Sequence, residues 1–186
     1  MTDERRLVEA CIRSERSAQR QLYELFAGKF YAIAIRYMKD EDDAADVMLD
    51  AFVKIFKYVN TFRFDCPFEA WARRIVINTA LKALQKKKRM GYQIDANEMT
   101  NQLSEQAVDV SNMALEQLMN LVHELPDGCQ AIFNLYAIEG YKHHEIADLL
   151  DISEGTSKSQ YSRAKQLLQR KLADISEEEV RLKNVQ

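Results

Sequence analysis

The spacing of apolar residues is the feature that most restricts the fold of this chain. Apolar side chains recur mostly three and four positions apart from Glu4 to about Arg89, and again from Ala114 to about Ile175. That spacing places them on one side of a helix, where they can pack against other helices. Only five glycines and two prolines interrupt the 186 residues. The pattern therefore predicts an all-α chain made of two small helical domains.

Polar segments predict where the helices end. The segments YMKDEDD and NTFRFDCP interrupt the first helical stretch, which leaves room for roughly three or four helices within residues 1–90. LPDG and LDISEG interrupt the second stretch, which we assign to residues 114–175. We predict that the last residues, 176–186, form a frayed tail.

Charge is distributed unevenly along the chain, although its formal net value is only −3. Residues 1–90 carry 18 basic and 13 acidic side chains, whereas residues 91–122 carry five acidic side chains and no basic ones. We predict that residues 91–113 form a flexible acidic linker between the two domains. Because a nucleic-acid surface needs only local positive charge, the mild overall acidity does not exclude DNA binding.

Cysteine usage and the N-terminal sequence favour a cytoplasmic protein. Cys11, Cys66 and Cys129 are far apart and form no C-x-x-C pair, which argues against disulfides and zinc knuckles. The N-terminus lacks the apolar core of a signal peptide, and no apolar run is long enough to cross a membrane. We therefore expect a soluble chain without membrane insertion.

Residue patterns typical of catalysis are missing from the sequence. His143 and His144 are adjacent and point to different faces of a helix, and His123 is distant from them, so we expect no shared metal site. The chain has neither a glycine-rich phosphate loop nor a typical order of nucleophile and base. We expect no cofactor and no enzymatic activity.

One motif keeps an enzymatic alternative open. Residues 42–46 read DDAAD, which matches the DDxxD motif of all-α isoprenoid synthases, where carboxylates bind magnesium and diphosphate. Such an enzyme would need a second aspartate-rich motif on a facing helix, and the sequence contains none. A short motif of common residues also arises easily by chance, so this alternative is disfavoured.

Two helices separated by a short break predict DNA binding near the C-terminus. The second helix of the run 146–168 begins at a suitable N-cap, Ser153, and residues 155–172 carry five basic and no acidic side chains. This helix suits the major groove of DNA. Its predicted inward stripe is Tyr161, Ala164, Leu168 and Leu172. A ligand-responsive repressor with the same helix pair is an alternative reading of this segment.

The N-terminal half offers a candidate docking helix. It begins at Asp42, and its apolar stripe is Met48, Phe52, Ile55 and Val59. Another face carries Asp46, Asp50, Lys54 and Lys57. This charged face is either solvated or a docking surface for helices of a partner.

A candidate single-strand surface follows that helix. The loop 60–65 carries two aromatic residues that we expect to be exposed, Phe62 and Phe64, and Pro67 can start the next helix. That helix carries a polar, mainly basic stripe of Arg74, Asn78, Lys82, Lys86 and Arg89. Aromatic residues beside a basic helix suit a single strand, because bases stack or enter pockets while lysines follow the backbone. Trp71 is either core or a stacking platform.

In this order, these blocks resemble the bacterial extracytoplasmic-function (ECF) sigma factors, two-domain initiation subunits of RNA polymerase in the sigma-70 superfamily. Residues 42–62, DDAADVMLDAFVKIFKYVNTF, resemble the polymerase-binding helix of region 2. Residues 62–89, FRFDCPFEAWARRIVINTALKALQKKKR, resemble its promoter-melting loop and minus-ten helix. Residues 114–168 resemble region 4 with its helix-turn-helix. The resemblance covers nearly the whole chain.

The resemblance implies an alternative sigma factor that binds core RNA polymerase, directs it to specific promoters and assists promoter melting. It implies that Asp46, Asp50 and Phe52 face the clamp helices of the largest polymerase subunit, although Leu49 departs from the family's frequent glutamine. Further partners that it implies are the flap of the second-largest subunit, promoter DNA and an anti-sigma factor.

The resemblance also implies which residues contact the promoter. The minus-ten element would be captured and melted by Asn60, Thr61, Phe62, Arg63, Phe64, Asp65, Trp71, Arg74, Asn78 and Lys82. The minus-thirty-five duplex would be read by Thr156, Lys158, Ser159, Gln160, Ser162, Arg163 and Lys165. The chain departs from the family pattern at Asp151, usually glycine, at Ser157, usually apolar, and at Gln160, frequently arginine. Because bidentate arginine favours guanine and glutamine favours adenine, we expect Gln160 to alter promoter preference.

Overall fold

A computed structural model describes residues 3–89 and 115–183 of the chain. Every regular element within these ranges is helical, which confirms the all-α fold class. The chain divides into two compact units, Met1–Tyr92 and Gln93–Gln186, which we call the N-terminal and C-terminal units. The predicted linker, residues 91–113, lies outside the described residues.

Within residues 3–89 the N-terminal unit contains four helices. They are α1 (Asp3–Ile12), α2 (Arg16–Ile35), α3 (Glu41–Tyr58) and α4 (Phe68–Arg89), and a 3-10 turn follows α3 (Val59–Thr61). The breaks after Ile35 and after Tyr58 were predicted, whereas the break after Ile12 was not. Helix α2 packs against the other three helices, and α3 packs against α4. Aromatic rings fill the space between them, with centroids of neighbouring rings 5.4 to 5.6 Å apart among Phe26, Phe30, Phe52 and Phe68.

The acidic run at the start of α3 has a structural role. Asp40 is the N-cap, and its carboxylate accepts hydrogen bonds from the backbone N–H groups of Asp42 and Asp43 at 3.0 and 3.1 Å. The carboxylate of Asp43 also pairs with Lys87 of α4. Acidic residues in a first helical turn interact favourably with the helix dipole. Within residues 3–89 and 115–183, no group of three or more potential ligands is placed to hold a metal ion.

The C-terminal unit contains the helix pair that the sequence predicts near Ser153. Its helices are α5 (Leu115–His123), α6 (Asp127–Phe133), which continues as a π-helical segment (Asn134–Ile138), α7 (His143–Leu150) and α8 (Glu154–Lys183). Helix α8 packs against α5, α6 and α7. The predicted inward stripe is confirmed, because Ala164 and Leu168 are buried and Tyr161 and Leu172 are half-buried.

Helix α8 continues through residues 176–183, which belong to the segment that we predicted to form a frayed tail. The segment contains no glycine or proline, and its glutamate, leucine, arginine and lysine residues are good helix formers. Helix propensity therefore extends α8 beyond the last residues of the apolar stripe.

Two of the three cysteines are buried packing residues. Cys11 and Cys129 are buried, whereas Cys66 is exposed. Burial, and secondarily the charge of Glu15, raises the pKa of the Cys11 thiol to about 11. A thiol with such a pKa stays protonated at neutral pH and is a poor nucleophile.

Candidate nucleic-acid interface

The turn between α7 and α8 has a left-handed residue at its start. Asp151 ends α7 with φ 55° and ψ 52°, and the backbone N–H of Ile152 donates to the carbonyl oxygen of Ala147 at 3.1 Å. Glycine adopts this conformation without steric cost, and aspartate tolerates it better than most residues. The backbone geometry explains why glycine is usual at this position and shows that Asp151 leaves the turn intact.

The start of α8 is capped as predicted. The hydroxyl of Ser153 accepts a hydrogen bond from the backbone N–H of Thr156 at 2.9 Å. On the exposed side of this first turn, Lys158 lies 2.7 Å from the carboxylate of Glu154, and its hydrogen bond lowers the pKa of Glu154. The ammonium of Lys158 is therefore partly neutralised within the chain, and an incoming phosphate would compete with Glu154 for it.

Ser157 replaces an apolar contact with a hydrogen bond between α7 and α8. It is fully buried, and its hydroxyl lies 2.9 Å from Nδ1 of His143. The His143 ring stacks on Tyr136, with 4.3 Å between the ring centroids. Burial and the charge of Lys158 lower the pKa of His143, so the neutral ring is favoured at this position.

An aromatic cluster lies between the π-helical segment and α8. The ring centroid of Tyr161 lies 4.5 Å from Tyr136 and 6.1 Å from Phe133. The ammonium of Lys165 lies 5.2 Å from the centre of the Tyr161 ring. Gly140, at φ 78°, lies two residues after Ile138, the last residue of the π-helical segment. This segment is not predictable from the sequence, because one residue more in a helical turn leaves no clear mark on the apolar spacing.

The polar residues that we expect to read the duplex are not equally accessible. Thr156, Lys158 and Ser159 are exposed near the N-terminal end of α8. The remaining four are half-buried, namely Gln160, Ser162, Arg163 and Lys165. Gln160 contacts α6 rather than only solvent, since its side-chain carbonyl accepts a hydrogen bond from the thiol of Cys129 at 3.0 Å.

Phe62 lies in the protein core, so the expectation that it is exposed is wrong. It is 6% exposed, and its ring centroid lies 4.8 Å from Phe64, 5.6 Å from Phe68 and 5.4 Å from Trp71. The 3-10 turn after α3 directs the ring inward, where it gains apolar contacts with α4. Phe62 therefore packs against Phe64 and half-buried Trp71 from the core side and supports both rings.

Phe64 is half-buried and lies at a strained point of the loop. Its backbone is left-handed, with φ 61°, a conformation that is costly for an aromatic residue. The guanidinium of Arg5, in α1, lies 4.7 Å from the centre of the ring. The loop residues around it are exposed, namely Asn60, Thr61, Arg63 and Asp65.

A cleft of about 170 Å³ lies between α3 and α4 and reaches Tyr58, the last residue of α3 before that loop. It is lined by Lys54, Tyr58, Ile75, Asn78, Thr79 and Lys82. The ammonium of Lys54 donates to the hydroxyl of Thr79 at 3.1 Å, and this hydroxyl donates to the carbonyl oxygen of Ile75 at 2.7 Å. Among the described residues no carboxylate pairs with Lys54.

The sequence predicted the polar stripe of α4 but not the contribution of Lys54 to the same side of the unit. Arg74, Asn78, Lys82 and Lys86 are exposed, and the Arg89 side chain lies outside the described residues. The sequence placed Lys54 with the charged face of α3 and gave no sign that it reaches α4. A contact between residues 25 positions apart has no signature in local spacing.

The exposed face of α3 combines acidic and apolar side chains. Asp46 and Asp50 are exposed, and between and beside them lie Leu49, 50% exposed, and Val53, 67% exposed. Phe52 is 3% exposed and packs against the rings of Tyr23, Phe30 and Phe56, so the expectation that it faces a partner is wrong. Its position on the apolar stripe turns it away from Asp46 and Asp50.

No helix within residues 3–89 and 115–183 combines the length and apolar character that a membrane span requires.

Comparisons with known proteins agree with the order of these features along the chain. The family model for sigma-70 region 2 matches residues 22–90, and the model for sigma-70 region 4 matches residues 115–168. The chain is 29% identical over 180 residues to the ECF RNA polymerase sigma-E factor of Escherichia coli strain K12, which covers 91% of this chain and 94% of that protein. It is 26% identical over 180 residues to the sigma-E factor of Haemophilus influenzae, which covers 91% of this chain and 95% of that protein.

Two solved structures share the fold. The sigma factor RpoE of Bartonella quintana, solved in complex with the anti-sigma factor NepR, matches with a TM-score of 0.54 and 21% identity over 83% of this chain and 96% of that one. CnrH, solved in complex with the cytosolic domain of CnrY, matches with a TM-score of 0.51 and 22% identity over 92% of this chain and 97% of that one.

Proposed function

This chain belongs to the ECF sigma factors of the sigma-70 family, and we propose that its two helical units divide promoter recognition between them. As an alternative sigma factor, it directs RNA polymerase to promoters. In our proposal the N-terminal unit captures the melted minus-ten strand, and the C-terminal unit reads the minus-thirty-five duplex. The protein acts in the cytoplasm, where it meets core polymerase, and performs no catalysis of its own.

The N-terminal turns of α8 are the part of the C-terminal unit that fits the major groove. Thr156 and Ser159 present short polar side chains, and Lys158 lies beside them with its charge on an exposed flexible stem. The hydroxyls can bond to base edges or phosphates, and the lysine suits a phosphate. Ser162, Arg163 and Lys165 lie further along α8 and would contact the flanking backbone.

Single-strand capture in the N-terminal unit would use the loop 60–65 and the cleft between α3 and α4. Phe64 and Trp71 are half-buried rings supported by Phe62, which suits stacking or pocketing of an unpaired base. Asn60, Thr61, Arg63 and Asp65 surround this platform with polar groups, and Arg74 continues them on α4.

The cleft itself suits the phosphate next to that base. Lys54 offers a half-buried ammonium held by Thr79, and Lys82 and Asn78 line the same cleft from α4. Two ammonium groups and an amide make a favourable site for one backbone phosphate. Lys54 therefore joins Asn78 and Lys82 in the proposed minus-ten surface.

Helix α3 carries the proposed polymerase surface. Leu49 and Val53 form an exposed apolar patch, and Asp46 and Asp50 border it with negative charge. Such a patch suits helices that present apolar side chains with a basic border. We assign this face to the clamp helices of the largest polymerase subunit and assign the C-terminal unit to the flap of the second-largest subunit.

An anti-sigma factor is a further proposed partner. Both solved relatives were captured with a partner protein, and for RpoE that partner is named as an anti-sigma factor. The exposed patch of Leu49 and Val53 is a surface that such a protein could cover, which would exclude core polymerase.

The observation that carries the proposal is the exposure of two distinct polar surfaces, the first turns of α8 and the cleft with its loop, in the two units of one sigma factor. Run-off transcription with purified core polymerase tests it. We expect transcription only when the chain, core polymerase and a cognate promoter are all present. A repressor would bind DNA without core polymerase and inhibit transcription, and a magnesium-dependent enzyme would do neither; either result would overturn the proposal.

The cleft has its own test in the salt dependence of binding to a minus-ten single strand by the holoenzyme. The affinity falls as salt rises, and we expect Lys54→Gln to make this fall less steep. The magnitude of the slope of log K against log salt should decrease by about 0.7, the value for one phosphate contact on a single strand. Arg16→Gln, which removes one exposed positive charge at the start of α2, is the control. An equal slope for Lys54→Gln and the unmodified chain would remove Lys54 from this surface.

A further inference from the structure

The contact between Cys129 and Gln160 determines which way the glutamine amide is turned. Cys129 is fully buried in the core of the C-terminal unit, on α6. Gln160 is half-buried in the second turn of α8, next to the exposed residues that we assign to DNA. The thiol donates to Oε1 of Gln160 at 3.0 Å, so this oxygen is directed into the protein.

This orientation restricts what Gln160 can offer to DNA. Glutamine recognises adenine with two groups at once, because Oε1 accepts from N6 of the base and Nε2 donates to N7. Both amide groups must then point outward. With Oε1 turned toward Cys129, only the Nε2 amide protons are available to a ligand. One donor can serve N7 of either purine, O6 of guanine or O4 of thymine, and therefore separates adenine from guanine poorly.

The thiol is in the state that this hydrogen bond needs. Burial raises the pKa of Cys129, and the positive charge of Arg163 opposes this only in part. The thiol therefore stays protonated at neutral pH and acts as the donor. Cys129 has no path to the DNA itself, because it lies in the core beneath α8.

We propose that Cys129 is a specificity-determining residue: it holds the side chain of Gln160 with Oε1 inward, so that the sigma factor does not select adenine at the base that Gln160 reads. This inference rests on the proposed reading of duplex DNA by α8. It also changes the expectation that glutamine at this position favours adenine.

A promoter library tests this inference. The full chain is combined with core polymerase, the minus-thirty-five element is randomised, and promoters that are transcribed are sequenced. Gln160→Ala identifies the base that Gln160 reads, because preference changes there. At that base we expect the unmodified chain to separate adenine from guanine by less than about 3-fold. Cys129→Ala frees the amide, and we expect it to favour adenine by about 5- to 150-fold, the range for a good bidentate pair.

Two further variants separate the hydrogen bond from packing. Cys129→Ser keeps a donor of similar size, and we expect it to retain the unmodified preference. Cys129→Val removes the donor but fills the space, so we expect it to favour adenine like Cys129→Ala, which also guards against poor folding of the alanine variant.

The possible results are distinct. The inference is overturned if Cys129→Ala and Cys129→Val keep the unmodified preference, or if Gln160→Ala alters no position of the library. It is also overturned if Cys129→Ser favours adenine as strongly as Cys129→Ala does. If the unmodified holoenzyme shows no dependence on the minus-thirty-five sequence at all, the proposed function of α8 fails, and the inference fails with it.

Discussion

The two units of this sigma factor support their candidate DNA surfaces in different ways. In the N-terminal unit, the minus-ten loop rests on packed rings, with Phe62 between Phe64, Phe68 and Trp71. In the C-terminal unit, α8 is joined to its neighbours by side-chain hydrogen bonds, one between Ser157 and His143 and one between Cys129 and Gln160. Ring packing tolerates changes of pH, whereas hydrogen bonds depend on protonation and on the identity of single atoms. The two surfaces should therefore fail under different perturbations.

Truncating Phe62 should have the largest effect. We expect Phe62→Ala to lower the free energy of unfolding of the N-terminal unit by about 3–5 kcal/mol, because it removes a buried ring and leaves a cavity. Trp71 is the single tryptophan of the chain and lies 5.4 Å from Phe62, so its fluorescence reports this unit. Phe64→Ala, at a half-buried ring, should cost clearly less. Equal losses of stability in Phe62→Ala and Phe64→Ala would show that Phe62 is not the main support of the loop.

Removing the buried hydroxyl of the C-terminal unit should have a smaller effect. We expect Ser157→Ala to cost about 1 kcal/mol, the lower end for a buried hydrogen bond, because half-buried His143 can turn to water. Hydrogen exchange in α7 and α8 measures the loss, while the Trp71 signal should stay unchanged. Ser159→Ala, at an exposed position of the same helix, is the matched control. Unchanged exchange in Ser157→Ala would show that the hydrogen bond adds nothing to apolar packing.

Replacing Asp151, the left-handed residue of the turn, should raise the stability of the C-terminal unit rather than lower it. We expect Asp151→Gly to stabilise the C-terminal unit by about 0.5–1 kcal/mol, because the gain from removing a strained backbone exceeds the entropy that glycine adds to the unfolded chain. Asp148→Gly, inside α7, should instead destabilise by about 1 kcal/mol. Hydrogen exchange again provides the measurement, and a destabilised Asp151→Gly would mean that the Asp151 side chain contributes more than its backbone costs.

Lowering the pH should produce the smallest of these differences in stability between the two units. The pKa of His143 is lowered from its ordinary 6.5 by burial and by Lys158, against the weaker influence of Glu154, so the folded state binds fewer protons than the unfolded state. The stability of the C-terminal unit is then fully present above about pH 6.5 and decreases as the pH falls below that value. Glu154 is the carboxylate that acts on the ring, and its influence is smaller than those of burial and Lys158, so the sign is kept.

The control for the acid effect is built into the chain. All three histidines lie in the C-terminal unit, so the transition reported by Trp71 should show no histidine contribution over the same range. Replacing the ring by His143→Gln should flatten the pH dependence of hydrogen exchange in α7 and α8. A dependence that survives in this variant would show that His143 is not its source.

The sequence alone determined the fold class and much of the local structure. Apolar spacing predicts the helices, Ser153 predicts the cap of α8, and the stripe of Tyr161, Ala164 and Leu168 predicts its buried face. These features depend on residues within one or two turns of each other, so local order is sufficient to predict them. The acidic residues Asp46 and Asp50 were likewise predicted on the side of α3 away from its apolar stripe, and both are exposed.

Only the tertiary structure decided which candidate site residues are supports and which are surfaces. Phe62 and Phe52 are phenylalanines like their half-buried neighbours Phe64 and Phe56, but packing between helices buries them. Lys54 reaches Thr79, and Cys129 turns the amide of Gln160, across 25 and 31 positions of the chain. Contacts between distant positions arise from how helices pack, which is a property of the assembled unit rather than of any local stretch of sequence.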